Sequence, residues 1–129
     1  MTTAPKAATI LVVDDEESIR LLLQEELSDL GYRVLLAADA HEALERLEGE
    51  IPDLISIDIR MPGMDGIELL RHIRLTHRDL PVVLYTAYGE YKRDFAAWAS
   101  DAYVTKSADL IELTDTIRKL LAARRAPPG

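Results

Sequence analysis

Five short apolar runs alternate along this chain with longer stretches of helical periodicity. The runs are apolar throughout, which is typical of parallel strands that are covered by helices on both faces. Alternation of strand and helix predicts an open α/β fold with right-handed crossovers. The predicted strands are Ile10–Val13, Val34–Ala37, Leu54–Ile57, Val82–Tyr85 and Ala102–Val104.

The stretches between these runs carry the start and stop signals of helices. The first predicted helix ends at Gly31, and the second and third follow Asp39 and Asp65, each with a glutamate three residues later. A short fourth helix is predicted over Arg93–Ala99, and the last begins near Asp109. The predicted core-facing stripes are Ile19, Leu22, Leu23, Leu27 and Leu30 in the first helix, Ala40, Ala43, Leu44 and Leu47 in the second, and Leu110, Leu113, Ile117 and Leu120 in the last.

Composition excludes several classes of function. The 129 residues suffice for one domain, and 48% are apolar, enough for one core. A formal charge of −8 argues against nucleic-acid binding, and the absence of cysteine excludes disulfides, thiolate metal sites and a cysteine nucleophile. No signal peptide or membrane span is visible, so we expect a cytoplasmic protein. We expect flexible residues at 1–8, a domain over 9–123, and a flexible tail or linker stump at 124–129.

Polar side chains follow four of the predicted strands. Asp14 and Asp15 follow the first strand, Asp58 the third, Thr86 the fourth and Lys106 the fifth. Open α/β sheets bind ligands at this edge, where the strand order reverses. In the order 2-1-3-4-5 the reversal lies between strands one and three, so the three aspartates are expected side by side.

Clustered carboxylates repel one another, which raises some of their pKa values unless a cation lies among them. Oxygen ligands with open positions suit Mg²⁺. A cation, an ammonium and a hydroxyl around a carboxylate suit phosphoryl transfer. Lys106 would neutralise charge, Thr86 would bond a phosphoryl oxygen, and Asp58 would attack.

Four sequence blocks resemble the signatures of response regulator receiver domains of two-component signalling, of the single-domain type found among chemotaxis regulators. The blocks lie at 12–16, 56–66, 85–87 and 102–106, and the resemblance covers about Thr9 to Leu121. It implies a flavodoxin-like five-stranded parallel sheet in the order 2-1-3-4-5 and an aspartyl-phosphate on Asp58. Such a domain is a switch and not an enzyme, since it catalyses only its own phosphorylation and dephosphorylation.

The resemblance also implies the cofactor and the switch residues. It implies that Mg²⁺, for which Mn²⁺ can substitute, is held by Asp15, Asp58 and the main-chain carbonyl of Arg60, with Asp14 acting through water. It implies that Thr86 and Tyr103 form the switch pair.

The implied partners are proteins. The phosphoryl donor would be a histidine kinase or a phosphotransfer protein, docking near Leu21, which lies off the apolar stripe of the first helix. A downstream protein target would contact the face formed by the fourth helix, the fifth strand and the fifth helix. No direct contact with nucleic acid or membrane is expected, and the state would be a monomer or a weak phosphorylation-dependent dimer.

Two alternatives stay open, and one residue departs from the family pattern. A phosphatase of the haloacid dehalogenase type needs a second aspartate two residues after its nucleophile, where this chain has Arg60. A pseudo-receiver that binds partners without phosphorylation usually lacks an acidic residue, the threonine or the lysine, and none is missing here. Ser107 stands where the family has a proline after a typically cis bond. Because a cis bond before a non-proline residue costs about 2.5–4 kcal/mol, we expect the Lys106–Ser107 bond to be trans.

Overall fold

The computed structural model describes residues 7–87, 99–107 and 109–125, which form five strands and four helices. The fourth helix predicted from the sequence, over 93–99, lies outside the described residues except for Ala99. The elements are β1 (Thr9–Val13), α1 (Glu17–Asp29), β2 (Arg33–Ala37), α2 (Ala40–Gly49), β3 (Leu54–Ile57), α3 (Gly66–Thr76), β4 (Val82–Thr86), β5 (Ala102–Thr105) and α4 (Ile111–Arg125).

The strands form one parallel sheet in the order β2-β1-β3-β4-β5, which confirms the predicted fold. The three inner strands β1, β3 and β4 are buried along their whole length. The last residue of β1, Val13, pairs with Ala37 on one side and Ile57 on the other, so the strand ends are level. None of the described helices is long and apolar enough to cross a membrane.

Alternation along each strand divides the core into two layers. Leu11 and Val13 face the layer that contains α2 and α3, whereas Ile10 and Val12 face the layer that contains α1 and α4. The apolar stripes predicted for the second and last helices face these layers. Their buried members are Ala40, Ala43, Leu47, Leu113 and Ile117, and Leu44, Leu110 and Leu120 are partly buried.

The stripe predicted for α1 is wrong at two positions. Leu23 and Leu27 are buried, but Leu22 is 41% and Leu30 is 58% exposed. Residues four apart, such as Leu23 and Leu27, form one line along the helix, and Leu22 lies 100° to its side. Leu30 is the C-cap, where the chain leaves the helix at Gly31 with φ 95°.

Two predicted helix starts are confirmed by their caps. The Asp39 carboxylate accepts a 2.8 Å hydrogen bond from the amide of Glu42. Asp65 accepts hydrogen bonds from the amides of Ile67 and Glu68, at 2.9 and 3.0 Å. Each carboxylate satisfies first-turn donors that the helix itself leaves unpaired.

Both ends of the folded region extend beyond the predicted boundaries. Ala8 is buried, and its carbonyl accepts a hydrogen bond from the amide of Arg33. Helix α4 continues to Arg125, and the Arg124 guanidinium donates to the main-chain carbonyl of Asp53 at 2.7 Å. The backbone of Ala8 and the side chain of Arg124 thus have partners in the fold.

Arg74, near the end of α3, joins the helix to the start of β5. Its guanidinium donates to the carbonyls of Ala99 and Leu80, at 2.7 and 2.6 Å, and to the Asp101 carboxylate at 2.7 Å. Asp101 in turn accepts a hydrogen bond from the amide of Val82, the first residue of β4. This network lies at the amino ends of the strands, opposite the edge that carries the polar residues.

Candidate functional site

Asp14 continues the line of β1 past its last residue. Its amide donates to the carbonyl of Ala37 at 3.1 Å, and the side chain is buried. One carboxylate oxygen, Oδ1, accepts a 2.9 Å hydrogen bond from the amide of Glu16. The Arg20 guanidinium donates to the main-chain carbonyl of Asp14 at 2.7 Å, which fixes the start of α1 against the sheet edge.

Asp58 lies beside Asp14 because its amide donates to the carbonyl of Val13 at 2.9 Å. Its side chain is only 6% exposed. Thr86, buried at the end of β4, hydrogen-bonds the Asp58 carboxylate. The other feature of this carboxylate is an unsatisfied atom: among the described residues Oδ1 is buried without a hydrogen-bond partner. Such an oxygen is ready to accept a cation or a reacting group.

Lys106 brings a positive charge to these carboxylates from the far side of β4. Its amide donates to the carbonyl of Thr86 at 2.7 Å, which extends the β4–β5 pairing to the site. The ammonium nitrogen lies 2.8 Å from Asp14 Oδ2, 3.3 Å from Asp58 Oδ2 and 4.0 Å from a Glu16 oxygen. No peptide bond in the described part of the chain is cis, so the prediction of a trans Lys106–Ser107 bond is confirmed.

The electrostatics of the site follow from burial and from this lysine. Burial raises the pKa of Asp58; Lys106 opposes the rise, and the neighbouring charge of Asp14 adds to it. Burial alone would lower the pKa of Lys106, but its hydrogen bond and attraction to Asp14, together with Asp58, outweigh burial and raise that pKa. The site therefore disfavours the ionised form of Asp58 and favours the charged form of Lys106.

Gly66 lets helix α3 approach the site. Its amide donates to the carbonyl of Ile59 at 2.8 Å. A Cβ atom at this position would lie 2.2 Å from the main-chain oxygen of Asp58 and 2.8 Å from the Cα of Ile59. Sequence analysis did not assign this role to Gly66, because close approach is a property of the folded backbone.

The structure brings Glu16, and not Asp15, into the acidic cluster. Ligand oxygens of Asp14, Glu16 and Asp58 all lie within 4.8 Å of one another, whereas Asp15 is exposed and is not part of this group. The assignment of Asp15 to the metal site stays a prediction. Side chains of extended backbone alternate in direction, so Asp14 and Glu16 share a side that Asp15 does not. The spacing of two was the signal that could have identified Glu16.

The remaining predicted residues lie close to these groups. Arg60 is exposed in the loop that follows Asp58. Tyr103 is partly buried on β5 and packs against the core layer of α2 and α3. Thr86 pairs with Thr105 and Leu84 pairs with Tyr103, so Thr86 and Tyr103 lie on the same face of the sheet.

The donor set fits Mg²⁺. It consists of carboxylate oxygens, with one buried oxygen that has no partner within the described residues. Hard oxygen donors and an open position are what Mg²⁺ prefers, since it keeps several waters. Cysteine is absent, and the cluster contains no histidine, so the softer metals that prefer those ligands are disfavoured.

Known proteins are similar in sequence to this chain. The sequence profile of the response regulator receiver domain matches residues 10–118. Sporulation initiation phosphotransferase F of Bacillus subtilis is 36% identical over 114 residues, which are 87% of this chain and 92% of that protein. Response regulator MprA of Mycolicibacterium vanbaalenii is 40% identical over 121 residues, 92% of this chain; the match spans only 52% of MprA.

Solved structures agree with these relatives. Response regulator TrrA of Thermotoga maritima, in complex with Mg²⁺-BeF, superposes with a TM-score of 0.85 at 43% identity, covering 88% of this chain and 98% of TrrA. TrrA in complex with the histidine kinase ThkA gives a TM-score of 0.84 at 44% identity over the same shares. The acidic site at the carboxyl edge of a 2-1-3-4-5 parallel sheet, together with these relatives, identifies a signalling domain of two-component systems. The chain belongs to the response regulator receiver domain family.

Proposed function

We propose that this receiver domain is a switch that accepts a phosphoryl group on Asp58 from a histidine kinase or a phosphotransfer protein. The observation that carries the proposal is the buried Oδ1 of Asp58, which has no partner within the described residues although an ammonium and a hydroxyl contact the same carboxylate. A buried polar atom without a partner costs free energy, so its retention favours a functional role.

The proposed transfer is a displacement at phosphorus. An Asp58 oxygen attacks the phosphorus of a phosphohistidine, a new P–O bond forms, and the P–N bond breaks with its electron pair left on the imidazole nitrogen. Lys106 stabilises the negative charge that the phosphoryl oxygens bring to the site. The Thr86 hydroxyl donates a hydrogen bond to one of those oxygens. Both groups already lie against Asp58, so little reorganisation is needed.

Asp15, Asp58 and the main-chain carbonyl of Arg60 would hold Mg²⁺, or Mn²⁺ in its place, with Asp14 acting through water. Bound there, the metal would offset the charge of the carboxylates and of the incoming phosphoryl group. TrrA, the relative described above, was solved with Mg²⁺-BeF. Comparing Mg²⁺ binding of Asp15→Asn with that of wild type tests the role of Asp15.

Thr86 and Tyr103 are proposed as the switch pair. Thr86 is buried beside Asp58, and Tyr103 is partly buried on the same face of the sheet, on the neighbouring strand. When Thr86 turns toward a phosphoryl oxygen it leaves space, and Tyr103 can move inward to fill it. The surface around β5 would then present a different contact to a downstream protein.

The phosphoryl donor is proposed to dock on the first turns of α1. Leu21 is 52% exposed there, and Leu22 beside it is also exposed. Two adjacent exposed leucines next to the site edge suit an apolar protein contact. The relative TrrA was solved in complex with the histidine kinase ThkA.

Intact-mass measurement tests the central proposal. Wild type incubated with acetyl phosphate and Mg²⁺ is expected to gain one phosphoryl group, Mn²⁺ is expected to support the same gain, and Asp58→Asn is expected to gain none. Equal labelling of Asp58→Asn would refute Asp58 as the acceptor. No labelling of wild type by either acetyl phosphate or a cognate kinase would favour the pseudo-receiver alternative.

A further inference from the structure

Glu16 lies where a third carboxylate can reach the cation site. It is the N-cap of α1 and has extended backbone, with φ −89° and ψ 116°. Its amide is held by Asp14 Oδ1 at 2.9 Å, which fixes the backbone beside the site. A Glu16 oxygen lies within 4.8 Å of oxygens from both Asp14 and Asp58.

The carboxylates of this cluster carry more negative charge than the ammonium group of Lys106 can balance. When ionised, Asp14, Glu16 and Asp58 place three negative charges around the single ammonium of Lys106. That ammonium lies closest to Asp14, at 2.8 Å, and farthest from Glu16, at 4.0 Å. The buried Oδ1 of Asp58 has no partner among the described residues. Two unbalanced negative charges and one unpaired buried oxygen together point to a divalent cation.

We propose that Glu16 is a member of the Mg²⁺ site, in addition to the neighbouring Asp15, and strengthens metal binding. The inference rests on the proposed function, because it concerns the same site. Glu16 is 61% exposed, so water and salt weaken its attraction for the metal. Its contribution therefore adjusts affinity, and Asp58 remains indispensable.

Calorimetric titration of the unphosphorylated protein with MgCl₂ tests this role. Glu16→Gln removes the charge and keeps the size of the side chain, and it is expected to raise the Kd for Mg²⁺ by about threefold to fivefold. The matched control is Glu17→Gln, since Glu17 is the next residue in the chain, is also exposed and lies outside the cluster. This control is expected to leave the Kd within twofold of wild type. Thermal melts in EDTA are expected to show that Glu16→Gln folds as stably as wild type.

The outcomes separate this inference from the proposed function. If Glu16→Gln binds Mg²⁺ as tightly as wild type while Asp58→Asn loses binding, the metal site stands and the role of Glu16 is overturned. An equal loss in Glu16→Gln and Glu17→Gln would also overturn it, because the effect would be one of general charge. If wild type shows no saturable Mg²⁺ binding, both the proposed metal site and the proposed role of Glu16 are refuted.

Discussion

The ammonium group of Lys106 donates a 2.8 Å hydrogen bond to the carboxylate of Asp14, which lies 92 residues earlier in the chain. Both side chains are largely buried, so the bond joins the carboxyl ends of β1 and β5 in a sheltered setting. Asp14 thus has strong partners in the folded protein. Asp58, in contrast, keeps one oxygen without a partner within the described residues.

Asp14→Ala is expected to destabilise the metal-free fold by about 1–3 kcal/mol. Repulsion among carboxylates alone would predict no loss, but the variant removes the shorter bond of Lys106 and the acceptor of the Glu16 amide. Urea unfolding in EDTA measures the effect. Asp15→Ala, at an exposed neighbour of the same charge, is the control and is expected to change stability little. A metal-free Asp14→Ala protein as stable as wild type would contradict the structural role of the pair.

Asp58→Asn is expected to stabilise the metal-free fold at neutral pH. The folded state raises the pKa of Asp58 above its ordinary value of 3.8, mainly through burial, so the folded state binds this proton more tightly than the unfolded chain does. Stability from this group is fully present below about pH 3.8 and is lost as pH rises through the higher folded pKa.

The measurement is the free energy of unfolding of wild type and Asp58→Asn from pH 4 upward, in EDTA. The difference between the two proteins should grow in favour of the variant as pH rises and then level off. A difference that does not change with pH would show that Asp58 titrates alike in the folded and unfolded chains.

Gly66→Ala is expected to destabilise the protein by about 1–3 kcal/mol and to slow phosphorylation. The added Cβ would overlap the main-chain oxygen of Asp58, so α3 or the Asp58 loop must move. The control is Gly49→Ala, because a Cβ there meets nothing within 4 Å. Thermal melts and acetyl phosphate labelling measure the two effects. Equal behaviour of both variants would mean that the close approach is not required.

Leu21→Glu is expected to slow transfer from the kinase at least severalfold and to leave acetyl phosphate labelling unchanged. The substitution places a charge in an exposed apolar patch without touching the core. Leu75→Glu, at an exposed leucine on α3, is the control and should leave both reactions unchanged. If Leu21→Glu slows labelling by acetyl phosphate as well, the substitution has damaged the site or the fold.

The sequence alone was enough to predict those structural features that a single local rule determines. Apolar runs identified all five strands, and the residues that follow them identified Asp14, Asp58, Thr86 and Lys106. The trans bond at Lys106–Ser107 followed from the cost of its cis form. Each of these expectations depends on neighbouring residues or on strand order alone.

The sequence alone was not enough to predict features that depend on how the helices, strands and loops lie against one another. Asp15 and Glu16 are both acidic, and the direction of the extended backbone selects Glu16 for the cluster. Leu22 has the helical spacing of a core residue, but the face of α1 that meets the sheet is centred on Leu23 and Leu27, which leaves Leu22 exposed. Gly66 is needed because the first residue of α3 lies so close to the main chain of Asp58 that a Cβ atom would overlap it.

Helix α3 has one end fixed at the site and the other at the entrance to β5. Its first residue, Gly66, rests against the Asp58 loop, and Arg74, near its last turn, binds Ala99 and Asp101. At 1.5 Å per residue, this helix is a rod of about 16 Å with both ends attached. A displacement of the Asp58 loop can therefore be transmitted through α3 to β5, the strand that carries Tyr103. This transmission does not depend on the hydrogen bonds of the sheet.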